Sequence, residues 1–411
     1  MIASDVFGIK KDVSKYSYFD RGDMDASFRK YLKRDKHIAI KGESKCGKSW
    51  LRQQNLPDAL VVQCRLDKDK NDIYVDALSQ LGVSFEVTSS SSGKVAGKVS
   101  ATGEFGANLL AKIGFKTELS AEGAGGREFS KVGGDITDLR YVADLLRGSE
   151  RRLVIEDFHY LRKEERKAFA YDLKALWDYG LYVVIIGIWS ENNLLPYLNS
   201  DLSGRMYELE LTWSPDDLKS VIEKGGRKLN VEFNADVISK LIDAAFGNVG
   251  IMQELVLDTL ERSGIEESKF KKQNCCDPSK VTDASMFYSE QLNPIYRTLA
   301  KRISSGIRNK KNSTDAYMHM LVVLLSEEDL ALINGVHIDV LYEKVRSREP
   351  RINKGNLKKA LSKLEELQVD QDGRGLVFSF NDADEVHVVD RQLLLYRSHM
   401  TVNWPWEDES Y

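Results

Sequence analysis

No stretch of this 411-residue sequence approaches the roughly 20 consecutive apolar residues that a bilayer-crossing helix needs, which excludes a membrane span from the reading. Cysteine is scarce: there are four, with Cys275 and Cys276 adjacent, and they make no disulfide framework. No cysteine or histidine spacing resembles a zinc site. Excess charge of one sign is lacking too. The formal net charge of -4 argues against a wholly basic nucleic-acid protein, although it averages over local asymmetry. The first residues alternate polar and apolar, unlike a signal peptide, so a cytoplasmic protein is expected. What remains is a soluble globular composition, 42% hydrophobic and 30% charged, in a chain too long for one ordinary core. Two or three domains are expected.

A phosphate-binding loop stands out against this background. Gly42, Glu43, Ser44, Lys45, Cys46, Gly47, Lys48 and Ser49 match G-x-x-x-x-G-K-[ST] directly after the apolar run 37–40. In such a loop backbone N–H groups wrap a polyphosphate, and glycines let the main chain turn without a Cβ clash. Lys48 is expected to neutralise the β/γ oxygens and Ser49 to ligate Mg²⁺. Trp50 to Gln54 should begin a helix whose N-terminal dipole faces the anion. Cys46 reads either as a thiol whose oxidation blocks phosphate or as a small tolerated side chain.

Hydrolysis needs carboxylates brought to the metal and the attacking water by a second strand. Leu153 to Asp157 fits that Walker B pattern, with the acidic pair Glu156-Asp157 in the reverse of the commoner Asp-Glu order. The swap leaves open which acid serves the metal and which the nucleophile. Leu181 to Ile188 reads as a strand buried on both faces and ends at Trp189-Ser190-Glu191-Asn192, where ligands of open α/β sheets sit. Ser190 or Asn192 is a candidate for the γ-phosphate or the water, and an N-cap role for Ser190 is the alternative. Arg205 precedes the strand Met206 to Leu211. It reads either as an arginine finger for a neighbouring subunit or as a surface salt-bridge residue. His159 reads as a packed histidine or a water-positioning one.

Strands alternating with helices argue for a parallel sheet covered on both sides. Residues 84–134 interrupt the pattern with the serine run 89–92 and ten glycines. A flexible linker, an inserted β-hairpin or arm, and a membrane-active segment are the readings of this insertion, all of them outside the sheet's own core. From Ser214 the chain reads as helical, with helices at 215–224, 234–245 and 249–262. The last third offers helices at 316–325, 338–345 and 354–367, then strands at 376–380 and 386–389, the order of a winged helix. Gly373-Arg374-Gly375 would be its wing tip. Between Lys344 and Lys363 there are eight Lys/Arg and one acid, Glu349, a local excess of 8 − 1 = +7. The aromatic and acidic tail 404–411 has no assignment.

In this order the parts resemble the AAA+ superfamily, close to its origin-recognition initiator branch, and the related STAND signalling ATPases. The resemblance covers residues 16 to 265. Tyr18-Phe19-Asp20-Arg21 followed by a helix resembles the segment near adenine, which makes Tyr18 and Arg21 nucleotide-contact candidates. Glu156-Asp157-Phe158-His159-Tyr160 looks like the Walker B of small bacterial STAND-like ATPases. Gly247-Asn248-Val249-Gly250 stands where many AAA+ lids read Gly-x-x-Arg, so the sensor 2 arginine is missing, and slow hydrolysis with the nucleotide as a switch is implied. The resemblance implies an α/β parallel-sheet P-loop ATPase core over 1–213 and a helical lid over 214–305, and the order of elements in the last third adds a winged-helix domain over 306–411. It implies ATP and Mg²⁺ as cofactors, a homo-oligomer, a partner effector protein, and a role in phage defence or stress signalling. The alternative is an ATP-dependent initiator or transposition-type regulator binding double-stranded DNA through residues 344–363.

Overall fold

In a computed structural model, which describes residues 1–88, 96–112, 126–128, 138–306, 314–369 and 375–407, the apolar runs of the first half pair side by side. Five parallel strands form the central sheet: β1 (His37–Gly42), β2 (Leu60–Gln63), β3 (Leu153–Glu156), β4 (Val183–Gly187) and β5 (Met206–Leu211), in the order β2-β3-β4-β1-β5. The register sets Ile38 against Val184, Ile155 against Ile185 and His37 against Met206. Successive side chains point to opposite faces, so each strand feeds two cores. Ala39, Leu153, Ile155, Val183 and Ile185 pack under the helices Lys70–Ser79, Leu139–Gly148 and Lys163–Asp178. Ile38, Ile40, Val154, Val184 and Ile186 face the other way, with Phe28 and Leu51. This two-sided burial is why β3 and β4 are apolar without alternation. Because every strand runs in the same direction, all loops that follow strands share one edge, and all that precede them share the opposite edge.

The insertion departs from the expectation that it lies outside the core. Val83–Thr88 pairs antiparallel with Ala96–Thr102, and Gly126–Glu128 extends the sheet, so the hairpin reading fits the described residues. Its foot, however, is built into the main core. Ala101, Ala107, Leu109 and Leu110 are buried against the same cluster as the strands. Gly106 packs so closely that a Cβ there would stand 2.7 Å from the Gly82 carbonyl. Excising 89–132 would therefore strip apolar surface from the sheet's core instead of removing an appendage. Val95, Ile113, Phe115 and Leu119 lie outside the described residues. No helix among the described residues is long and apolar enough to cross a membrane.

Beyond β5 the helices Pro215–Leu229, Ala235–Ala245 and Val249–Arg262 begin at the side-chain caps Ser214, Asn234 and Asn248. They enclose a core that also takes Ala3, Val6 and Phe7 from the N-terminus. The parallel pair Val231–Phe233 and Gln273–Cys275 was not expected, nor was the 27-residue helix Ser279–Ser305 with Pro294 inside it. A proline within the run punctuates the helical periodicity that a sequence reading depends on. This helix packs Val281 and Ala284 into that core and Leu292 to Ile303 into a fourth core.

That fourth core holds the helices Ala316–Ser326, Ile338–Arg348 and Lys354–Ser362 beside a three-stranded antiparallel sheet of Val336–His337, Glu385–Val388 and Phe378–Phe380. The helix expected over 354–367 breaks at Lys363 and resumes as Leu364–Gln368. A further helix, Gln392–His399, was missed. Trp404 is buried edge-on against Tyr396 and stacks on Trp406 at 5.6 Å, so the aromatic part of the tail is core. Residues 373–374 of the expected wing tip and 408–411 of the tail lie outside the described residues.

Candidate nucleotide-binding site

β1 delivers Gly42 to the carboxyl edge of the sheet, and the loop turns through Gly47, held at φ 93°, into the Lys48–Asn55 helix. Only glycine adopts that φ without strain. A Cβ on Gly42 would come within 2.7 Å of Cys46 Sγ and 3.1 Å of Leu211. The loop encloses a cavity of about 260 Å³ whose walls are residues 44–50, the N-terminal segment around Tyr18 and Arg21, Asp157, and Val249–Gly250 of the lid. Lys48 Nζ donates to the carbonyls of Gly42 (2.9 Å) and Glu43. Cys46 is fully buried, and burial pushes its thiol up, which favours the small-side-chain reading over an oxidisable thiolate. Trp50 donates through Nε1 to the Lys10 carbonyl at 3.0 Å, so it ties the N-terminal segment across the loop helix.

The acidic pair is divided by the structure. Glu156, the last residue of β3, accepts a hydrogen bond from Arg52 Nε at 3.1 Å, and both side chains are nearly buried. Glu156 does not line the cavity. Asp157, at φ 58°, does. Burial raises the Asp157 carboxyl, the Glu156 charge raises it further, and Lys48 opposes both. Ser49 lines the same cavity, so a Mg²⁺ ion held by a phosphate would find the Ser49 hydroxyl and Asp157 as its protein partners. Among the described residues no group of three or more His, Cys, Asp or Glu could hold a metal without the phosphate. The metal role expected for Glu156 conflicts with its commitment to Arg52.

On the far wall the Tyr18 hydroxyl and the Arg21 backbone N–H both donate to the buried Asp25 carboxylate. The Arg21 guanidinium lies 4.4 Å from the centre of the Trp213 ring, and its Nε and Nη1 have no hydrogen-bond acceptor. Trp213 and the helices after β5 rest on the loop backbone. Asn248 Nδ2 donates to the Ser44 carbonyl at 2.7 Å, the Gly250 N–H to Lys45 O at 3.1 Å, and Trp213 Nε1 to Cys46 O at 2.8 Å. This accounts for the missing sensor 2 arginine: a Cβ at position 250 would stand 2.6 Å from Lys45 O and 2.7 Å from its Cβ. A side chain there would force the lid helix off the loop.

Three sequence candidates are placed elsewhere. Ser190 Oγ is 3.1 Å from Ser379 Oγ of the C-terminal block, so it neither lines the cavity nor caps a helix. Asn192 accepts from Lys41 Nζ at 2.6 Å. Arg205 precedes β5 and therefore sits on the edge opposite the cavity, stacked 5.0 Å from the Trp177 ring and donating to the Asp201 carbonyl. It cannot act on its own chain's nucleotide. His159 is buried, accepts the Ile188 N–H at 3.3 Å and is held down to about 3, chiefly by burial: a packed histidine.

Sequence reasoning missed the C-terminal contact with the loop. Val389 O accepts the Ser44 N–H at 3.3 Å, Lys45 Nζ donates to Gln392 Oε1 at 2.6 Å, and Arg391 forms an ion pair with Glu43. Burial raises the Glu43 carboxyl, and Arg391 opposes it. No local signal could reveal partners 347 residues apart. The basic stretch 344–363 also looks different once folded. Lys344, Arg351, Lys354, Lys358 and Lys363 are paired with Glu327, Glu349, Asp339, Asp384 and Glu366, so five of the eight cations are already neutralised.

No protein-family model and no curated protein matches the sequence. Among solved structures the chain is similar to the Walker-type ATPase of Pyrococcus abyssi, at 14% identity over 96% of this chain and 99% of that one, with a TM-score of 0.57. Weaker likenesses are to the Aeropyrum pernix Orc1 protein in complex with DNA, at 12% identity, 93% and 94% coverage and a TM-score of 0.39. A STAND protein with a tetratricopeptide repeat sensor from Pyrococcus horikoshii is similar at 13% identity over 97% of this chain and 44% of that one, also with a TM-score of 0.39. The likeness to the Walker-type ATPase establishes the fold: a mixed α/β architecture around a central parallel sheet.

Proposed function

We propose that the chain is an ATP-binding and hydrolysing switch whose C-terminal block, read as a winged-helix domain over 306–411, senses the state of the phosphate loop. One observation carries this reading. The N–H groups of a phosphate loop are the donors that wrap the nucleotide, and one of them, that of Ser44, is given to the Val389 carbonyl of the C-terminal block. A phosphate oxygen entering there competes with a protein carbonyl, and Arg391 on Glu43 holds that carbonyl in place. Charge-assisted hydrogen bonds are roughly twice as strong as neutral ones, so a triphosphate is the stronger competitor.

Arg391→Ala tests it. Losing the ion pair should loosen the block and raise the affinity for ATP by about tenfold, roughly 1.4 kcal/mol, measured with a fluorescent ATP analogue. Limited proteolysis of the wild type should show cleavage between the lid and the C-terminal block increasing with nucleotide. Unchanged affinity in Arg391→Ala, together with a digestion pattern indifferent to nucleotide, would discard the switch.

The reading extends to a homo-oligomer with Arg205 serving the neighbour's nucleotide, to a partner protein as the recipient of the signal, and to phage defence or stress signalling as the role. These steps rest on the motif resemblance and on the position of Arg205 away from its own site. Mixtures of Arg205→Ala and Lys48→Ala should recover ATPase activity that neither has alone; mixtures that stay inactive at every protein concentration would remove the finger. The DNA alternative loses support from the ion pairs that occupy residues 344–363.

A further inference from the structure

The sequence offers no stretch in which aromatic and basic residues alternate, yet the sheet assembles one. Everything that precedes a strand lies on the edge opposite the phosphate loop. There the segment before β1 contributes Lys33, Arg34 and Lys36, and the segment before β3 contributes Arg151 and Arg152. Tyr182 precedes β4, and Tyr207 lies in β5. These strands are neighbours in the order β3-β4-β1-β5. At about 4.8 Å per strand, the three steps spread the residues over roughly 14 Å.

Charges and rings are interleaved within that row. Tyr31 and Tyr207 stack at 4.0 Å, inclined by 12°. Lys36 Nζ stands 4.7 Å and the Arg34 guanidinium 5.4 Å from the Tyr207 ring centre. Arg152 lies 5.6 Å from the Tyr182 ring and donates to the Lys36 carbonyl at 2.8 Å, which joins the two halves. Beyond Arg152 a cavity of about 490 Å³ opens, lined by Arg147, Arg151, Arg152 and Tyr182.

The decisive contrast is with residues 344–363. Five of those eight cations are held by carboxylates, whereas among the described residues none of Lys33, Arg34, Lys36, Arg151 and Arg152 has a carboxylate partner. Asp58 and Glu150 line the same cavity and Asp35 acts on Arg152 through space, none of them in an ion pair with these side chains, which leaves five cations against three acids. The Arg34 hydrogen bond and the charges of Arg34 and Lys36 hold the Tyr207 phenol below its ordinary range, as a positive field requires. A simpler account is that the arginines only satisfy backbone carbonyls at the strand starts. Arg151 does donate to Asp58 O and Ala59 O, but each guanidinium has five donors, and Lys33 and Arg34 of the same edge are exposed.

We propose that this edge binds single-stranded nucleic acid, with phosphates on the unpaired Lys and Arg side chains and bases on the tyrosine rings. A duplex turns only its phosphates outward and leaves the rings unused, whereas every base of a single strand has a face that stacks on an aromatic ring. This inference does not depend on ATP hydrolysis.

The test is fluorescence anisotropy of a labelled oligo(dT) of about 20 nucleotides. The wild type should bind at low salt, with log K falling by about 0.7 per phosphate contact against log salt. Arg34→Glu combined with Lys36→Glu should lose more than tenfold and flatten that slope. Tyr207→Ala should lose about tenfold with the slope kept, because stacking releases no counterions. The thermal shift induced by ATP, retained in all variants, certifies the fold. The proposal is overturned by a wild type without oligonucleotide affinity, by equal competition from duplex, or by binding that is lost in Lys358→Glu with Lys359→Glu and kept in the edge variants. Edge variants that change the sedimenting mass but not oligonucleotide binding would assign the surface to a second copy of the chain instead.

Discussion

Lys48→Ala is expected to remove the stabilisation that ATP confers. At a hundred times its dissociation constant, ATP should add about 2.7 kcal/mol to the wild type, and a mutant that does not bind should gain nothing. Lys48 is placed to supply the attraction. Its Nζ sits on the Gly42 and Glu43 carbonyls, inside the loop it must serve. Of the other cations lining the cavity, Lys45 is committed to Gln392 and Arg21 to the Trp213 ring and Asp25, while Lys10 comes from the N-terminal segment and not from the loop. Without Lys48 the loop loses the cation held over its own carbonyls, and its backbone dipoles carry most of the phosphate charge. Differential scanning fluorimetry with and without ATP decides it. Equal shifts in wild type and mutant would mean that the cavity does not take the nucleotide.

Asp157→Asn should keep ATP binding and lose turnover by two to three orders of magnitude, about 2.7–4 kcal/mol of transition-state stabilisation. Asn keeps the shape of the side chain but removes the one carboxylate that lines the cavity among the described residues. Glu156→Gln should do much less, because a glutamine oxygen still accepts the Arg52 hydrogen bond. The two substitutions thus read the division of the acidic pair directly. A second readout is the dependence of nucleotide affinity on Mg²⁺, which should weaken in Asp157→Asn and persist in Glu156→Gln. A larger loss in Glu156→Gln, in turnover and in Mg²⁺ dependence, would reverse the assignment.

The loop, its strand and its helix were legible because the motif is local: eight consecutive residues carry the turn, the cation and the hydroxyl. The parallel sheet was legible for a related reason. Leu153 to Ile155 and Val183 to Ile186 are apolar on every residue, as only strands covered on both faces are. The foot of the insertion was not legible. Ala101, Leu109 and Leu110 lie among glycines and serines, and a Gly/Ser-rich composition says nothing about where the few apolar residues will pack. The 344–363 segment misled in the opposite way, since its charge was counted without the carboxylates that Glu327, Asp339 and Asp384 bring from outside it.

By itself the sequence determined that a phosphate loop opens a helix, that an acidic pair ends a buried strand, and that strands alternate with helices. Each of these depends on residues within a few positions of one another, where backbone geometry alone dictates the outcome. The tertiary structure alone decided that Asp157 and not Glu156 faces the cavity, that Val389 and Arg391 rest on the loop, and that Tyr31, Tyr182 and Tyr207 share an edge with unpaired cations. The physical reason is the same in each case. Which side chain reaches which depends on strand order and on the packing of helices hundreds of residues apart, and no local spacing encodes that.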